Sequence, residues 1–163
     1  MQTHPYDVLT LENGAKIIFT PCPGTKEATL IESILTLKEA GSSMLITLMF
    51  DEEMAINNAD SLPSECDKQN IKWIQLPILD DAAPNAEFES QWKIQKANIL
   101  EVINNQGTIA VHCKGGSGRT GLVIGLILLA FGWTAEKTIQ EVQRIRPKAL
   151  KHPVQLNYFN TYL

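Results

Sequence analysis

The chain has 163 residues, with 14 Lys+Arg against 18 Asp+Glu, 44% hydrophobic and 20% charged residues. That is the balance of one ordinary globular domain, large enough to build its own core without disulfides or structural metal. The formal charge of −4 argues against a general binder of nucleic acid or anionic membrane, because such partners need a broad field of Lys and Arg.

Val8 to Glu12 and Lys16 to Phe19 are β-prone segments flanking Asn13-Gly14, a dipeptide suited to a hairpin turn. Pro21-Cys22-Pro23-Gly24 breaks the second segment. From Glu27 to Ala40, residues Leu30, Ile31, Ile34, Leu35 and Leu37 make one helical face, and Gly41 follows as a cap. Met44 to Phe50 suits a buried strand, Asp51 to Gln69 one or two short surface helices with Pro63 starting the second, and Ile71 to Leu76 another strand. After a loop from Pro77 to Asn85, a long helix is predicted over Ala86 to Asn104, then a strand over Thr108 to His112. Lys114 to Gly118 is a turn. Leu122 to Phe131, apolar on every face, predicts a helix buried in the middle of the domain. Thr134 caps a further helix ended by Pro147, and a last short helix starts at Pro153. Strands separated by helices pair in parallel through crossovers. The expected fold is therefore α/β, a central mostly parallel sheet of four to five strands flanked by helices on both faces, in a single domain over residues 1–163.

Cys22, Cys66 and Cys113 are an odd, scattered set that suggests neither a disulfide framework nor a zinc site, and fits a reducing compartment. The opening Met-Gln-Thr-His-Pro-Tyr-Asp lacks the basic and apolar regions of a signal peptide, and the longest apolar run, Leu122 to Trp133, has 12 residues. Both point to a soluble cytoplasmic chain without membrane insertion.

Ligands of parallel sheets bind beyond the strand C-termini, which directs attention to Ile109-Ala-Val-His-Cys-Lys-Gly-Gly-Ser-Gly-Arg-Thr-Gly121. Glycines at 115, 116 and 118 let successive N–H groups of residues Lys114 to Gly118, Ser117 included, point into one concavity, to which the following helix adds its positive end. Cys113 enters this anion cradle from the strand as a nucleophile whose thiolate the same N–H groups would stabilise. Arg119 offers a planar fork to two phosphate oxygens. Gly116-x-Gly118-x-x-Gly121 also fits the dinucleotide fingerprint, but no acidic strand end follows at the required distance. A nucleotide P-loop fails because Arg119 stands where it needs Lys. Cys22 and Cys66 read as structural. Arg144 and Arg146 read as a solvated helix end or, alternatively, a second phosphate-attracting patch.

His112-Cys113-x5-Arg119-Thr120 resembles the signature of the cysteine-based protein tyrosine phosphatases. Asp80-Asp-Ala-Ala-Pro84, some 30 residues before the cysteine, resembles the general-acid loop of their dual-specificity branch, and Gln155-x-Asn157-Tyr158 with Ile17-Phe-Thr-Pro-Cys-Pro-Gly24 resembles its kinase-associated phosphatase group. The resemblance implies that Cys113 attacks phosphorus, that Arg119 and the loop amides hold the phosphoryl oxygens, that Asp80 protonates the leaving oxygen, and that Thr120 donates to the departing thiolate. It places Gln155 near the attacking water and needs no metal or other cofactor. His112 is expected to support the loop, and Asp81 stays open as the alternative acid. The connection before the first helix is too short for the aromatic recognition loop of tyrosine-specific relatives, so a phosphoprotein substrate carrying phosphotyrosine or phosphoserine/phosphothreonine is implied, acted on by a monomer. Lys114 also resembles phosphoinositide phosphatases, although those carry a second Lys where Ser117 stands. A phosphoinositide substrate is therefore the first alternative, and a non-catalytic phosphoprotein-binding module the second.

Overall fold

In the computed structural model, which describes residues 3–163, the sheet begins with the hairpin that Asn13-Gly14 predicts. Strand β1 (Asp7–Thr10) pairs antiparallel with β2 (Lys16–Thr20). At the turn Gly14 takes a φ of 93°, Asn13 accepts the Ala15 N–H, and the Asn13 amide donates to the Ile103 carbonyl. One side chain thus closes the turn and ties it to a distant helix. The expectation about the chain's opening rests partly on Met1 and Gln2, which lie outside the described residues.

Helix α1 (Leu30–Glu39), strand β3 (Ser42–Thr47), the short helices α2 (Asp51–Ile56) and α3 (Leu62–Lys68) and strand β4 (Lys72–Gln75) follow. The long helix α4 (Ala86–Asn104) leads into β5 (Thr108–His112), after which come α5 (Gly118–Phe131), α6 (Ala135–Ile145) and α7 (Pro153–Asn160). The strand order is β1-β2-β5-β3-β4, and every pairing except β1 with β2 is parallel. All five residues of central β5 are buried, so it carries no alternation of polar and apolar side chains.

Side chains alternate across the sheet. Ile17, Phe19, Met44 and Val111 face the core closed by α4, α5, α6 and α7, whereas Ile18, Leu45 and Ala110 face the core under α1, α2 and α3. Helix α5 is buried without interruption from Arg119 to Leu128 because β2, β5, α4, α6 and α7 surround it. Each of its enclosed Leu and Ile side chains contributes about 1.5–3 kcal/mol through removal from water.

Several boundaries differ from the periodicity: β3 spans Ser42–Thr47 where Met44 to Phe50 is predicted, and α5 begins at Gly118, ahead of the apolar run from Leu122. Helix α1 starts at Leu30 and not at Glu27, because the Thr29 hydroxyl accepts the Glu32 N–H while the Glu32 carboxylate accepts the Thr29 N–H. This reciprocal cap fixes the first turn, and Glu27 and Ala28 stay in the connection.

Candidate active site

Central β5 brings Cys113 to the C-terminal edge of the sheet, where residues 113–117 turn into α5. Gly116 has a φ of +82°, and a Cβ there would lie 2.7 Å from the Thr20 carbonyl carbon, so only glycine lets the loop lean on the end of β2. The Cys113 sulfur, 4% exposed, accepts the Gly116 N–H at 3.3 Å and the Thr120 hydroxyl at 3.1 Å. Two donors thus converge on one sulfur.

The loop is held from outside by its carbonyls. His112 Nδ1 donates to Cys113 O at 2.9 Å, the Cys22 N–H to Lys114 O at 2.9 Å, and Arg146 Nε to Gly116 O at 2.9 Å. In a trans peptide the N–H points away from the C=O. These three contacts therefore turn the N–H groups of Lys114, Gly115 and Ser117 inward, and none of the three finds an acceptor among the described residues. Inward-facing, unspent N–H groups make an anion site. His112 is fully buried, and that burial is the main reason its pKa is pushed down to about 4, so it holds the loop as a neutral ring.

Arg119, in the first turn of α5, is 2% exposed. Its Nη1 donates to Glu53 Oε1 at 2.7 Å and to Ile78 O at 3.0 Å, and its Nη2 to Glu53 Oε2 at 2.9 Å. A guanidinium has five N–H groups. Three are spent, which leaves Nε–H and one Nη2–H, parallel on one edge, as a two-pronged donor; Nε is buried and makes no hydrogen bond. Burial opposes the charge on Arg119, but the Glu53 carboxylate and the neighbouring Cys113 outweigh it and raise the guanidinium above its ordinary value.

A cleft of about 550 Å³ opens above the loop, within the usual size of a small-molecule site. It collects nine of the residues singled out in the sequence, namely Asp80, Asp81, Cys113, Lys114, Gly115, Ser117, Gly118, Arg119 and Gln155. His112, Gly116 and Thr120 do not line it. Asp80 Oδ1 stands 3.6 Å from Arg119 Nε on a carboxylate that is 69% exposed, whereas Asp81, with a φ of 59°, lines the cleft without an ion pair to Arg119. Gln155 on α7 is buried against Gly118, where an added Cβ would sit 3.1 Å from its Nε2.

Arg144 and Arg146 form no second phosphate patch. Arg144 pairs with Glu141, and Arg146 spends its guanidinium on Gly116 O, Phe19 O, Ile145 O and Asp7. The additional cations on the cleft wall are Lys26 and Lys148, joined by His152, from the connections before α1 and α7. Spacing along the chain could not reveal them, nor Glu53, which is one of three consecutive acids opening α2. Burial above all pushes the thiols of Cys22 and Cys66 up to about 12, so both stay protonated and serve as core residues. Among the described residues no group of His, Cys, Asp and Glu is arranged to hold a metal ion, and no helix is long and apolar enough to cross a membrane.

The family model for the Swiss Army Knife protein, DSP-PTPase phosphatase domain (PTP-SAK), matches residues 24–154, from the segment before α1 to the first turn of α7. The chain belongs to this phosphatase family. It is 40% identical over 92 residues to the tyrosine-protein phosphatase CDC14 of Candida albicans, a match covering 56% of this chain and 16% of that protein. It is 29% identical over 136 residues to the human protein tyrosine phosphatase type IVA 3, covering 83% of this chain and 72% of the relative. The chain thus spans only a small part of CDC14 and most of the type IVA 3 protein. In fold it resembles the kinase associated phosphatase crystallised with its catalytic-site cysteine replaced by serine, with a TM-score of 0.86 at 19% identity over 99% of this chain and 95% of that one. This PTP-SAK domain therefore has the mixed, mostly parallel sheet and flanking helices of the dual-specificity phosphatases.

Proposed function

We propose that this PTP-SAK domain hydrolyses phosphate monoesters of phosphoproteins, on tyrosine and on serine or threonine, through a phosphocysteine intermediate. The observation that carries the reading is the convergence at Cys113. A sulfur that accepts two hydrogen bonds lies at the base of a cleft ringed by unspent N–H groups and by the free edge of Arg119.

In the first step the Cys113 sulfur attacks phosphorus on the side opposite the ester oxygen, the P–O bond breaks, and Asp80 gives its proton to the leaving alkoxide or phenoxide. The amides of Lys114, Gly115, Ser117 and Gly118 and the Arg119 fork hold the three non-bridging oxygens as the phosphoryl group flattens, while the Gly116 amide stays on the Cys113 sulfur. In the second step a water positioned by Gln155 attacks phosphorus and loses its proton to Asp80. The S–P bond breaks, and the Thr120 hydroxyl donates to the departing thiolate. Charge on the phosphoryl group is offset by fixed dipoles and one guanidinium, the part that metal ions take in other phosphoryl-transfer enzymes.

No Phe, Tyr or Trp lines the cleft, and its one ring is the imidazole of His152. An open cleft without a large aromatic side chain to clamp a phenyl group supports action on phosphoserine and phosphothreonine as well as phosphotyrosine. Every group the mechanism uses comes from one chain, which fits a monomer, and a cytoplasmic setting fits three free thiols. The deciding experiment is phosphate release from phosphotyrosine and phosphothreonine peptides, a phosphoinositide and an aryl phosphate, with chelator present. The expected result is turnover of both peptides and the aryl ester. Turnover of the phosphoinositide alone would favour a lipid substrate, and tight peptide binding without turnover would make the domain a binding module.

A further inference from the structure

His112 is the near end of a longer chain of hydrogen bonds. Its Nε2 lies 2.7 Å from the hydroxyl of Thr47, the last residue of β3, and that hydroxyl oxygen lies 2.8 Å from the indole Nε1 of Trp73 on β4. The pairing is built into the sheet. Thr47 stands opposite His112 across β3 and β5 and opposite Gln75 across β3 and β4, which puts Trp73 two residues back on the same face.

The proton positions follow from the donor inventory. Cys113 O can only accept, so His112 Nδ1 carries the hydrogen. A neutral ring then has a lone pair at Nε2, so the Thr47 hydroxyl donates to it. Trp73 Nε1 can only donate, and it fills the acceptor site left on Thr47. Every bond in the chain runs in one direction, from Trp73 through Thr47 and His112 to the Cys113 carbonyl, and such aligned bonds strengthen one another. His112 and Thr47 are fully buried, so neither has water to replace a lost partner.

We propose that Thr47, oriented by Trp73, is a positioning residue for the nucleophile: it fixes the tautomer and tilt of His112, which holds the Cys113 carbonyl outward and so aims the Lys114 amide into the phosphate cradle. The inference rests on the phosphatase reading for its effect on rate, and on the hydrogen-bond chain alone for its effect on His112. Thr47 touches no reacting atom. Its removal should therefore lower kcat much more than it changes KM, because the amide it aims is needed most when the phosphoryl charge spreads in the transition state.

The test compares Thr47→Val, which keeps the shape and removes the hydroxyl, with Thr47→Ser, which keeps the hydroxyl, and with Trp73→Phe, which removes only the indole donor. Thr47→Val should lower kcat on an aryl phosphate roughly ten-fold, the worth of about one misaligned hydrogen bond, with KM changed less than about two-fold. Thr47→Ser should recover most of the loss, and Trp73→Phe should move kcat in the same direction as Thr47→Val. In the unmodified protein near neutral pH, ¹⁵N spectra of His112 should show the Nδ1–H tautomer, and the rate of Cys113 alkylation by iodoacetate should fall in Thr47→Val. A folded Thr47→Val with unchanged kcat and alkylation rate, failure of Thr47→Ser to recover activity, unchanged kcat in Trp73→Phe, or an Nε2–H or doubly protonated His112 would each overturn the proposal. If Thr47→Val does not fold, Trp73→Phe and the His112 spectrum decide. If the unmodified protein releases no phosphate at all, the phosphatase reading fails by itself, while the spectrum and the alkylation rates still decide the role of Thr47.

Discussion

Both carboxylate oxygens of Glu53 are spent on Arg119, Oε1 at 2.7 Å from Nη1 and Oε2 at 2.9 Å from Nη2. A carboxylate in α2 thus holds the end of the guanidinium, which leaves its Nε edge facing the cleft. Glu53→Gln keeps only one acceptor and leaves the buried cation with only the more distant, exposed Asp80 as counter-charge. We expect kcat/KM to fall on the order of ten- to a hundred-fold, about 1.4–2.7 kcal/mol in the barrier, together with a lower melting temperature. Glu52→Gln, an exposed neighbour in the same turn, should change neither. Steady-state kinetics and thermal melts of the two variants check this, and equal behaviour of the pair would remove Glu53 from the site.

Asp80 and Asp81 are adjacent, but only Asp80 lies within ion-pair distance of Arg119. Asp80→Ala should cost on the order of 10²–10⁴ in rate on a phosphotyrosine peptide, the usual worth of one positioned acid. The loss should shrink for aryl phosphates whose leaving groups are stable as anions, because these need little protonation. Asp81→Ala should be mild with both substrates. An exchange of the two behaviours would make Asp81 the acid.

The signature was legible because its parts are local. A strand, three glycines, a cysteine and an arginine within a dozen residues dictate their own cradle, and α4, β5 and α7 begin where Asn85, Gly107 and Pro153 signal them. What the sequence hid is the support around that cradle. Glu53, Thr47 and Arg146 belong to α2, β3 and the end of α6, and they reach Arg119, His112 and the Gly116 carbonyl across long stretches of chain. Arg146 is the clearest case. At a helix C-terminus an arginine is expected to be solvated, yet the neighbouring end of β2 and the outward Gly116 carbonyl give it acceptors that no local pattern reveals. Thr29 is the opposite case, since Thr-x-x-Glu is a local capping signal that hydrophobic periodicity alone overlooks.

Arg146 therefore has its own prediction. Arg146→Lys keeps the charge but cannot reach Gly116 O, Phe19 O and Asp7 together, so the Ser117 amide loses its fixed direction. Inorganic phosphate should inhibit this variant roughly ten-fold more weakly, with a comparable loss in kcat, about one hydrogen bond's worth of alignment. Arg144→Lys should leave both quantities unchanged. Phosphate inhibition constants for the two variants are the measurement, and a normal constant for Arg146→Lys would reduce the residue to a surface ion pair.

Acid should destabilise the fold through two buried histidines. Burial is the main cause that pushes His4 and His112 down to about 4 from an ordinary 6.5. Between those values the unfolded chain binds protons that the folded chain refuses, so stability is complete above about pH 6.5 and falls as the pH drops toward 4. The slope is about 1.4 kcal/mol per pH unit for each histidine. Urea midpoints from pH 7.5 to 4.5 should show this decline, and His4→Gln should make it shallower. An unchanged slope in His4→Gln would mean that His4 titrates normally in the folded chain.

The most direct test of the phosphocysteine account is an acid quench during turnover of an aryl phosphate, followed by mass spectrometry of the peptide that contains Cys113. The account predicts an acid-stable phosphoryl group on Cys113 that appears within the first turnover, is absent in Cys113→Ser, and accumulates when Gln155→Ala slows the attack of water. Steady release of phosphate with no phosphoryl group on Cys113 at any time, or turnover by Cys113→Ser at more than a small fraction of the normal rate, would contradict it.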